Sequence, residues 1–583
     1  MKTARPIINM DMKRLSRRTA AALALAAALI VGLSLQVLAI HDHSLSGDGA
    51  YHLVAGHQAL RYGQNTTNLE HPPLAKLVMA LPLFLENEPL TPPLEVSTAL
   101  RTSNEVYGQG ELVWRGTVRG RWLVFLVFVL PMLAATYLLG RQYGSPLTGA
   151  LLVLLMLFSL SSLPYLTLLQ TDAAVTLAFL GTILAATAYV RSPSPGWAMA
   201  VGAAAGFGLA VKFSALLLGP MVLLAFAVAP GPRRKRLGHL LGAAFLVVTV
   251  VEVAYLAANS DYDSALGREV IRTYCENKGT LAVADEMRAW ESTLLAVERI
   301  DPRLAQWLTG FAGVQIQNAM GVYPSYAFGE VRSEGRWWYF PAVLALKTPL
   351  VLLLVAAIAL LGFFRTRAWQ DEAWRRPEIV LPATVLLVYL VTSLTSNYNL
   401  SVRHLLPILP LLYLPLAAWL SRRPRWAATV VTVLLVESLV LSPLWMSATN
   451  TWWLGEKNPT RFSLSAGNLE YRQNFRQLAK EVAERDLEPF FVLYPALPDE
   501  ILVPDLPNAQ MRRPGDPLDP GWYAVNVTVE QMVPALLQAS ADEVYGYDEL
   551  VTAARTWEPF WQEVARGEDH GWIAGTFHLY ELR

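Results

Sequence analysis

Residues 20–40 read AAALALAAALIVGLSLQVLAI. The run holds no charged side chain, and as a helix it is long enough to cross a bilayer core, which takes about 20 apolar residues for about 30 Å. It exceeds the apolar stretch of about 7–15 residues found in a secretory signal, so it is expected to be a retained first span. Further apolar runs follow at 122–140, 147–164, 172–190, 197–212, 214–229, 239–257, 341–364, 379–395, 404–420 and 426–446. The expected fold class is therefore an α-helical polytopic membrane protein with about eleven transmembrane helices. Composition agrees: only 16% of the 583 residues are charged and mean hydropathy is +0.33, against about 25% charged in soluble chains. The formal net charge is +0, which gives a nucleic-acid partner no electrostatic footing. One cysteine, Cys275, excludes an intrachain disulfide.

The balanced charge hides an asymmetry. Lys2, Arg5, Lys13, Arg14, Arg17 and Arg18 precede the first span, and every later short basic loop falls on the same side when the spans alternate. These loops carry Arg141 and Arg191, then Arg233 to Arg236, then Arg365, Arg367, Arg375 and Arg376, then Arg422, Arg423 and Arg425. By the positive-inside bias this side, with the N-terminus, is cytoplasmic. The opposite side then receives two long loops, about 41–120 and 258–340, and a polar C-terminal region. Trp337, Trp338 and Tyr339, and Trp452 and Trp453, stand where spans meet that outer face, as in an aromatic belt. The expected division is a transmembrane domain over 1–446 and an extracytoplasmic α/β domain over 447–583. In the latter, Phe490–Tyr494, Trp522–Val527 and Thr576–Leu582 read as strands and Asn474–Glu484 as an amphipathic helix.

The first outer loop is the richest in chemistry. Asp48, Tyr51, His52 and Ala55 fall at i, i+3, i+4 and i+7, one face of a helix. Asp48 lies near that helix's start, where the dipole favours an anion, although Ser46 or Asp48 could equally serve as its cap. Pro72-Pro73 ends one helix and opens another, and Leu74–Leu85 is amphipathic enough to lie in the membrane interface. Other polar groups collect on the same side: Asp172 opens one span, Lys212 sits between two, and Arg403 and His404 open another. A charge at the centre of a membrane helix costs about 2.5–3.5 kcal/mol or more, so charges at this depth commonly serve a site. Singly, each could be a snorkelling or capping residue. Together they suit transfer of a sugar from a lipid phosphate: a carboxylate to take a hydroxyl proton, and fixed cations to hold the departing phosphate.

The stretch Glu70-His-Pro-Pro-Leu-Ala-Lys76 resembles the signature of the protein O-mannosyltransferases, and the run from Gly47 to Leu85 is similar to bacterial members and their aminoarabinose-transferring relatives. Gly329-Glu330, Trp337–Pro341, Leu346–Pro349 and Val402–Pro407 look like family elements in family order. The resemblance spans about residues 20–450 and implies a GT-C fold, a polyprenyl-phosphate-sugar donor, inversion at the anomeric carbon and no nucleotide-sugar domain. It implies Asp48 as the general base and Asp172 as the acid of the second outer loop, orienting the site or binding acceptor. It places Lys212 and Arg403 near the lipid phosphate. Tyr51, His52, Glu70, His71, Lys76 and His404 complete the expected substrate-binding set. The implied partners are the lipid-linked donor, the bilayer, and a protein, glycolipid or glycan acceptor.

Two departures stand out. Relatives often carry Asp-Glu where Asp48 is followed by Gly49, and the Ser465–Asn474 stretch lacks the acidic, Trp-containing motif seen in bacterial relatives. No cofactor is expected. A divalent metal is conceivable at His41-Asp42-His43, or between Asp48 and Asp172, but the chain lacks the further carboxylate such a site favours. The runner-up reading is a transporter or flippase of lipid-linked sugar. Transporters show paired repeats and broken helices at the membrane midplane, whereas the charges here sit at span ends. A catalytically inert assembly subunit is a third reading, which the Asp48 carboxylate argues against.

Overall fold

The structure, a computed structural model, describes residues 5–87, 111–276, 284–367, 370–455, 467–494 and 505–583. Lys2, residues 88–110 of the first long loop, and Ser465 lie outside the described residues, as do the side chains of residues 5–18 and of Trp453.

Each expected apolar run carries helix, and among the described residues six helices are long and apolar enough by themselves to cross a membrane: Thr19–Asp42, Glu111–Tyr143, Asp172–Arg191, Arg233–Ala258, Pro377–Leu394 and Val402–Ser421. The chain is a multi-pass membrane protein. In Arg233–Ala258 the apolar window is only 17% buried within the protein, with Leu241, Phe245, Val248 and Val253 exposed. That surface is tolerable only against lipid.

The remaining runs are shortened or bent for visible reasons. The 341–364 run breaks into Tyr339–Lys347 and Leu350–Arg365, bent by 112°. Pro349 lacks an N–H and pushes Thr348 out of the α region, to ψ 128°. The Lys347 ammonium braces the bend by donating to the carbonyls of Met446 at 2.5 Å and Ala448 at 2.7 Å. The 147–164 run forms helix over Pro146–Phe158, where Ser159 turns extended. Its N-terminus is secured by a Ser145–Thr148 capping box with Pro146 in the first turn. Within 122–140 the helix widens to a π turn at Val124–Val129.

The C-terminal region builds a five-stranded sheet in the order Gln510–Met511, Phe490–Leu493, Gly521–Asn526, Phe577–Leu582, Glu568–Ile573. The first three strands are parallel and the last two join antiparallel. Helices Phe475–Arg485, Val527–Gln538 and Tyr547–Val564 accompany it. Three expected strands and the amphipathic helix fall within about a residue of their observed bounds. The strands Gln510–Met511 and Glu568–Ile573 were not anticipated: the first is two residues long, and the second is largely exposed and polar, so neither shows an alternating apolar pattern.

Glycines set the approach of the elements around the first long loop. In the helix Gly47–Tyr62, a Cβ on Gly56 would overlap the Lys76 carbonyl of the helix Leu74–Leu85. In the helix Pro302–Met320, a Cβ on Gly310 would overlap the Leu69 carbonyl, beside Glu70. Gly313, three residues on, has nothing within 4 Å. Gly310→Ala is expected to destabilise the protein by about 1–3 kcal/mol as an overpacked site. Gly313→Ala should be neutral or stabilising by about 0.4–1 kcal/mol. Thermal unfolding of both variants in detergent reads the contrast, and equal melting temperatures would contradict the packing described.

Candidate active site

The first span delivers the chain to the site under tight control. Arg121, fully buried, donates to the carbonyls of Ile40, His43 and Ser44, fixing the exit from the span. The helix Gly47–Tyr62 starts three residues later with Asp48 in its first turn. Ser46 occupies the N-cap but makes no side-chain capping bond, so neither Ser46 nor Asp48 is used as a cap.

Asp48 faces a row of charges drawn from distant spans. Its Oδ2 accepts from Arg403 Nη2 at 2.9 Å. The same guanidinium reaches Asp172 Oδ2 through Nη1 at 3.7 Å, and Asp172 Oδ1 accepts from Lys212 Nζ at 2.6 Å. Local structure explains each placement. Asp172 begins a span, with its carboxylate at the positive end of the helix. Lys212 lies in extended backbone between Pro195–Leu209 and a 3₁₀ turn. Arg403 stands just after Ser401, whose hydroxyl accepts the Arg403 N–H. Exposure sorts the two acids: the Asp172 side chain is 2% exposed and that of Asp48 is 37% exposed. Only Asp48 is open to a reactant.

Burial alone would raise the Asp48 carboxyl, but the Arg403 guanidinium and the Tyr471 hydroxyl outweigh it and hold the group well below the usual carboxylate range. His52 packs edge-to-face on His71, with centroids 5.0 Å apart. Burial pulls His52 down to about 4 and His71 well below its ordinary value, so both rings are neutral near pH 7. Glu70 is pushed up by burial. It accepts from Gln317 Nε2 at 2.9 Å, and Gln317 Oε1 accepts from the Tyr398 hydroxyl at 3.0 Å. Tyr323 packs on Tyr398 with centroids 5.9 Å apart and lies in the field of Glu70, Asp48 and Tyr51.

Lys76 makes no ion pair in this row. It is 1% exposed and donates to the Asn68 carbonyl at 2.6 Å, with burial lowering it to about 7. It braces the loop that carries Glu70 and His71. His404 lends its carbonyl to the Tyr389 hydroxyl at 2.5 Å. Several buried polar atoms near the row have no hydrogen-bond partner: Ser46 Oγ, His52 Nδ1, His71 Nδ1, both amide atoms of Gln170, Arg403 Nε and His404 Nε2. Buried groups are nearly always paired, so such a cluster is what a polar ligand would satisfy.

The structure thus brings Asp48, Asp172, Lys212 and Arg403 into one chain of contacts, with His52, His71 and Glu70 beside Asp48. Sequence reasoning missed Arg121, Gln317, Tyr323, Tyr398 and Tyr471. Tyr398 and Tyr471 lay inside stretches singled out for other reasons, Asn397–His404 and Ser465–Asn474. The histidines of His41-Asp42-His43 go to separate partners, His41 to Trp122 and His43 to the Pro443 carbonyl, while Asp42 pairs with Lys480. Arg403 itself bridges Asp48 and Asp172. Among the described residues Glu568, His570 and Glu581 have the spacing of metal ligands, but Arg583 already pairs with both acids.

Residues 113–255 match the family described as dolichyl-phosphate-mannose-protein mannosyltransferase. Among solved structures the chain is similar to ArnT from Cupriavidus metallidurans bound to undecaprenyl phosphate, at 12% identity over 95% of this chain and 97% of that one, with a TM-score of 0.43. The same protein in its apo state gives 12% identity over 96% and 98%, with a TM-score of 0.35. The oligosaccharyltransferase of Archaeoglobus fulgidus in the apo form gives 8% identity over 92% and 72%, with a TM-score of 0.43. No curated protein matches.

The Asp172–Lys212 contact makes a separable prediction. Asp172→Asn and Lys212→Met should each lower thermal stability in detergent, and the double variant should lose less than their sum. The expected coupling is about 0.5–3 kcal/mol; strictly additive losses would mean that the pair does not form.

Proposed function

We propose that this protein is a GT-C glycosyltransferase that moves a sugar, a hexose such as mannose or a relative, from a polyprenyl phosphate to an acceptor hydroxyl. The reaction takes place in the cell membrane with the N-terminus cytoplasmic and Asp48 and the C-terminal domain outside. The single observation that carries the reading is the exposed Asp48 carboxylate ion-paired to Arg403, which a second carboxylate and Lys212 hold in place. The family match over 113–255, on the segment that contains Asp172 and Lys212, supports it.

In this mechanism the acceptor oxygen attacks the anomeric carbon from the face opposite the phosphate. The new C–O bond forms as the bond to the phosphate oxygen breaks, and that oxygen keeps the electron pair. The acceptor proton passes to Asp48. Arg403 and Lys212 receive the growing charge on the phosphate. The Asp48–Arg403 pair gives this a sequence: a carboxylate bound to a guanidinium is a weak base, and a phosphate that competes for Arg403 restores its basicity. Asp172, walled in between the two cations, orients them and is too enclosed to take a proton from an acceptor. Glu70, His71, His52, Tyr51 and His404 line the sugar's surroundings, and Lys76 braces the loop that holds them.

Asp48→Asn should lower sugar transfer by about 10²–10⁴-fold, the usual contribution of a general base, while undecaprenyl phosphate still binds. Arg403→Ala should weaken that binding. Both are read with the purified full-length protein, by release of labelled mannose from undecaprenyl-phosphate mannose and by intrinsic tryptophan fluorescence on adding undecaprenyl phosphate. Full turnover by Asp48→Asn removes the base assignment, and unchanged carrier affinity in Arg403→Ala removes the phosphate role.

A further inference from the structure

The segment Gly467–Asn474, which leads into the C-terminal sheet, is threaded through the site. At its start the Gly467 carbonyl accepts from Ser401 Oγ at 2.8 Å and from the Tyr165 hydroxyl at 3.0 Å. Asn468 Oδ1 accepts from the Val402 N–H at 2.9 Å, next to Arg403. Further on, the Tyr471 carbonyl accepts from the Gly47 N–H at 3.1 Å, next to Asp48, and the Gln473 carbonyl accepts from the Ser44 N–H at 2.9 Å. The segment therefore bridges the two elements that supply the Asp48–Arg403 pair.

Tyr471 is the residue this threading aims at the pair. Its hydroxyl accepts from the Asp48 N–H at 3.2 Å, which leaves the hydroxyl proton to the adjacent Asp48 carboxylate. Its ring lies under Arg403, with Cζ 4.7 Å from the centroid. Gly47 makes room for it: a Cβ there would come within 3.2 Å of the ring. One hydroxyl thus already sits on the one exposed carboxylate of the row, in the donor relation that an attacking alcohol would need.

Three physical points give that hydroxyl a role. Asp48 can gain a new donor only by giving up one it has, or by using what remains of its exposed edge. Arg403 is the harder partner to displace, being charged and tied to Asp172 as well. Tyr471 is neutral, and an incoming alcohol replaces its hydrogen bond one for one at little net cost. We propose that Tyr471 is a positioning residue whose hydroxyl holds the place of the acceptor hydroxyl on Asp48, excluding water until an acceptor displaces it. This rests on the glycosyl-transfer reading and adds where the acceptor enters: between Asp48 and the Gly467–Asn474 segment. Carrier binding prepares the exchange, because a phosphate that draws Arg403 away removes the cation beneath which the ring is held.

Tyr471→Phe keeps the ring and deletes the hydroxyl. With undecaprenyl-phosphate mannose as donor and water as the only acceptor, the variant should release free mannose about 3- to 10-fold faster than the parent, the equivalent of one hydrogen bond of about 0.5–1.5 kcal/mol. Tyr471→Phe combined with Asp48→Asn should release almost none. In the parent chain carrying 3-fluorotyrosine at position 471, the ¹⁹F resonance should shift when undecaprenyl phosphate binds. A purely structural tyrosine would give slower release and a lower melting temperature together. Unchanged or slower release in a Tyr471→Phe protein that melts normally overturns the proposal, as does an unmoved resonance at saturating carrier. A parent protein that neither binds undecaprenyl phosphate nor consumes the donor instead overturns the transfer reading, and this inference with it.

Discussion

A guanidinium shared by two carboxylates organises this protein. Arg403 contacts Asp48 and Asp172, which both come from the first third of the sequence, and Lys212 completes the row. The four side chains sum to zero charge, and that neutrality lets them sit at the ends of apolar helices. Removing one member would leave an uncompensated charge, which at a buried pair costs about 3–5 kcal/mol. Such a row is a poor way to add stability, since an apolar cluster of similar volume commonly does as well. Its value lies in what it presents: one carboxylate enclosed, one exposed, and a cation between them, the cation that the proposed reaction assigns to the carrier phosphate.

The surrounding structure serves to hold that row still. Arg121 fixes the exit of the first span through three carbonyls. Lys76 and Lys347 likewise spend buried ammonium groups on backbone carbonyls, the first at the loop carrying Glu70 and the second at the bend after Thr348. Non-helical backbone at membrane depth is tolerated only where protein satisfies it, and these three cations supply donors at the exit of the first span, at Asn68 and at the bend after Thr348. Gly310 and Gly56 allow their helices to press directly on the Leu69 carbonyl of that loop and on the Lys76 carbonyl of the helix after it.

Much of this could be read from the chain alone. Apolar runs located the helices because a membrane helix must satisfy its own backbone and cover itself in apolar side chains. Asp48, Asp172, Lys212 and Arg403 were visible because charge at span ends is costly and rarely idle. Where the sequence fell short, the cause is specific. Run length does not show that Pro349 folds one run into two helices at 112°. Nor does it show that Lys76 donates to the Asn68 carbonyl, although the resemblance already gave Lys76 a part in shaping this loop. Tyr471, Gln317 and Tyr398 are neutral residues in polar stretches, so nothing in composition or spacing marks them. Their meaning comes only from the long-range contacts that place them near Asp48.

Those contacts also bear on what the C-terminal region adds. In the proposed reaction a base exposed to water beside an activated sugar phosphate invites hydrolysis, so that reading calls for a group that occupies the base until the acceptor hydroxyl arrives. A side chain from the membrane bundle could do this, but it would be fixed to the same rigid helices as the base. The Gly467–Asn474 segment is joined to the bundle by a handful of hydrogen bonds and to the sheet by the Asn474 amide, which donates to the Ala574 carbonyl and the Thr576 hydroxyl. The same amide also donates to Ser447 Oγ, and in the helix that follows the Arg476 N–H donates to Ser44 Oγ and the Lys480 ammonium pairs with Asp42. The segment is thus held from both sides, and that double anchorage keeps Tyr471 where the Asp48–Arg403 pair meets it.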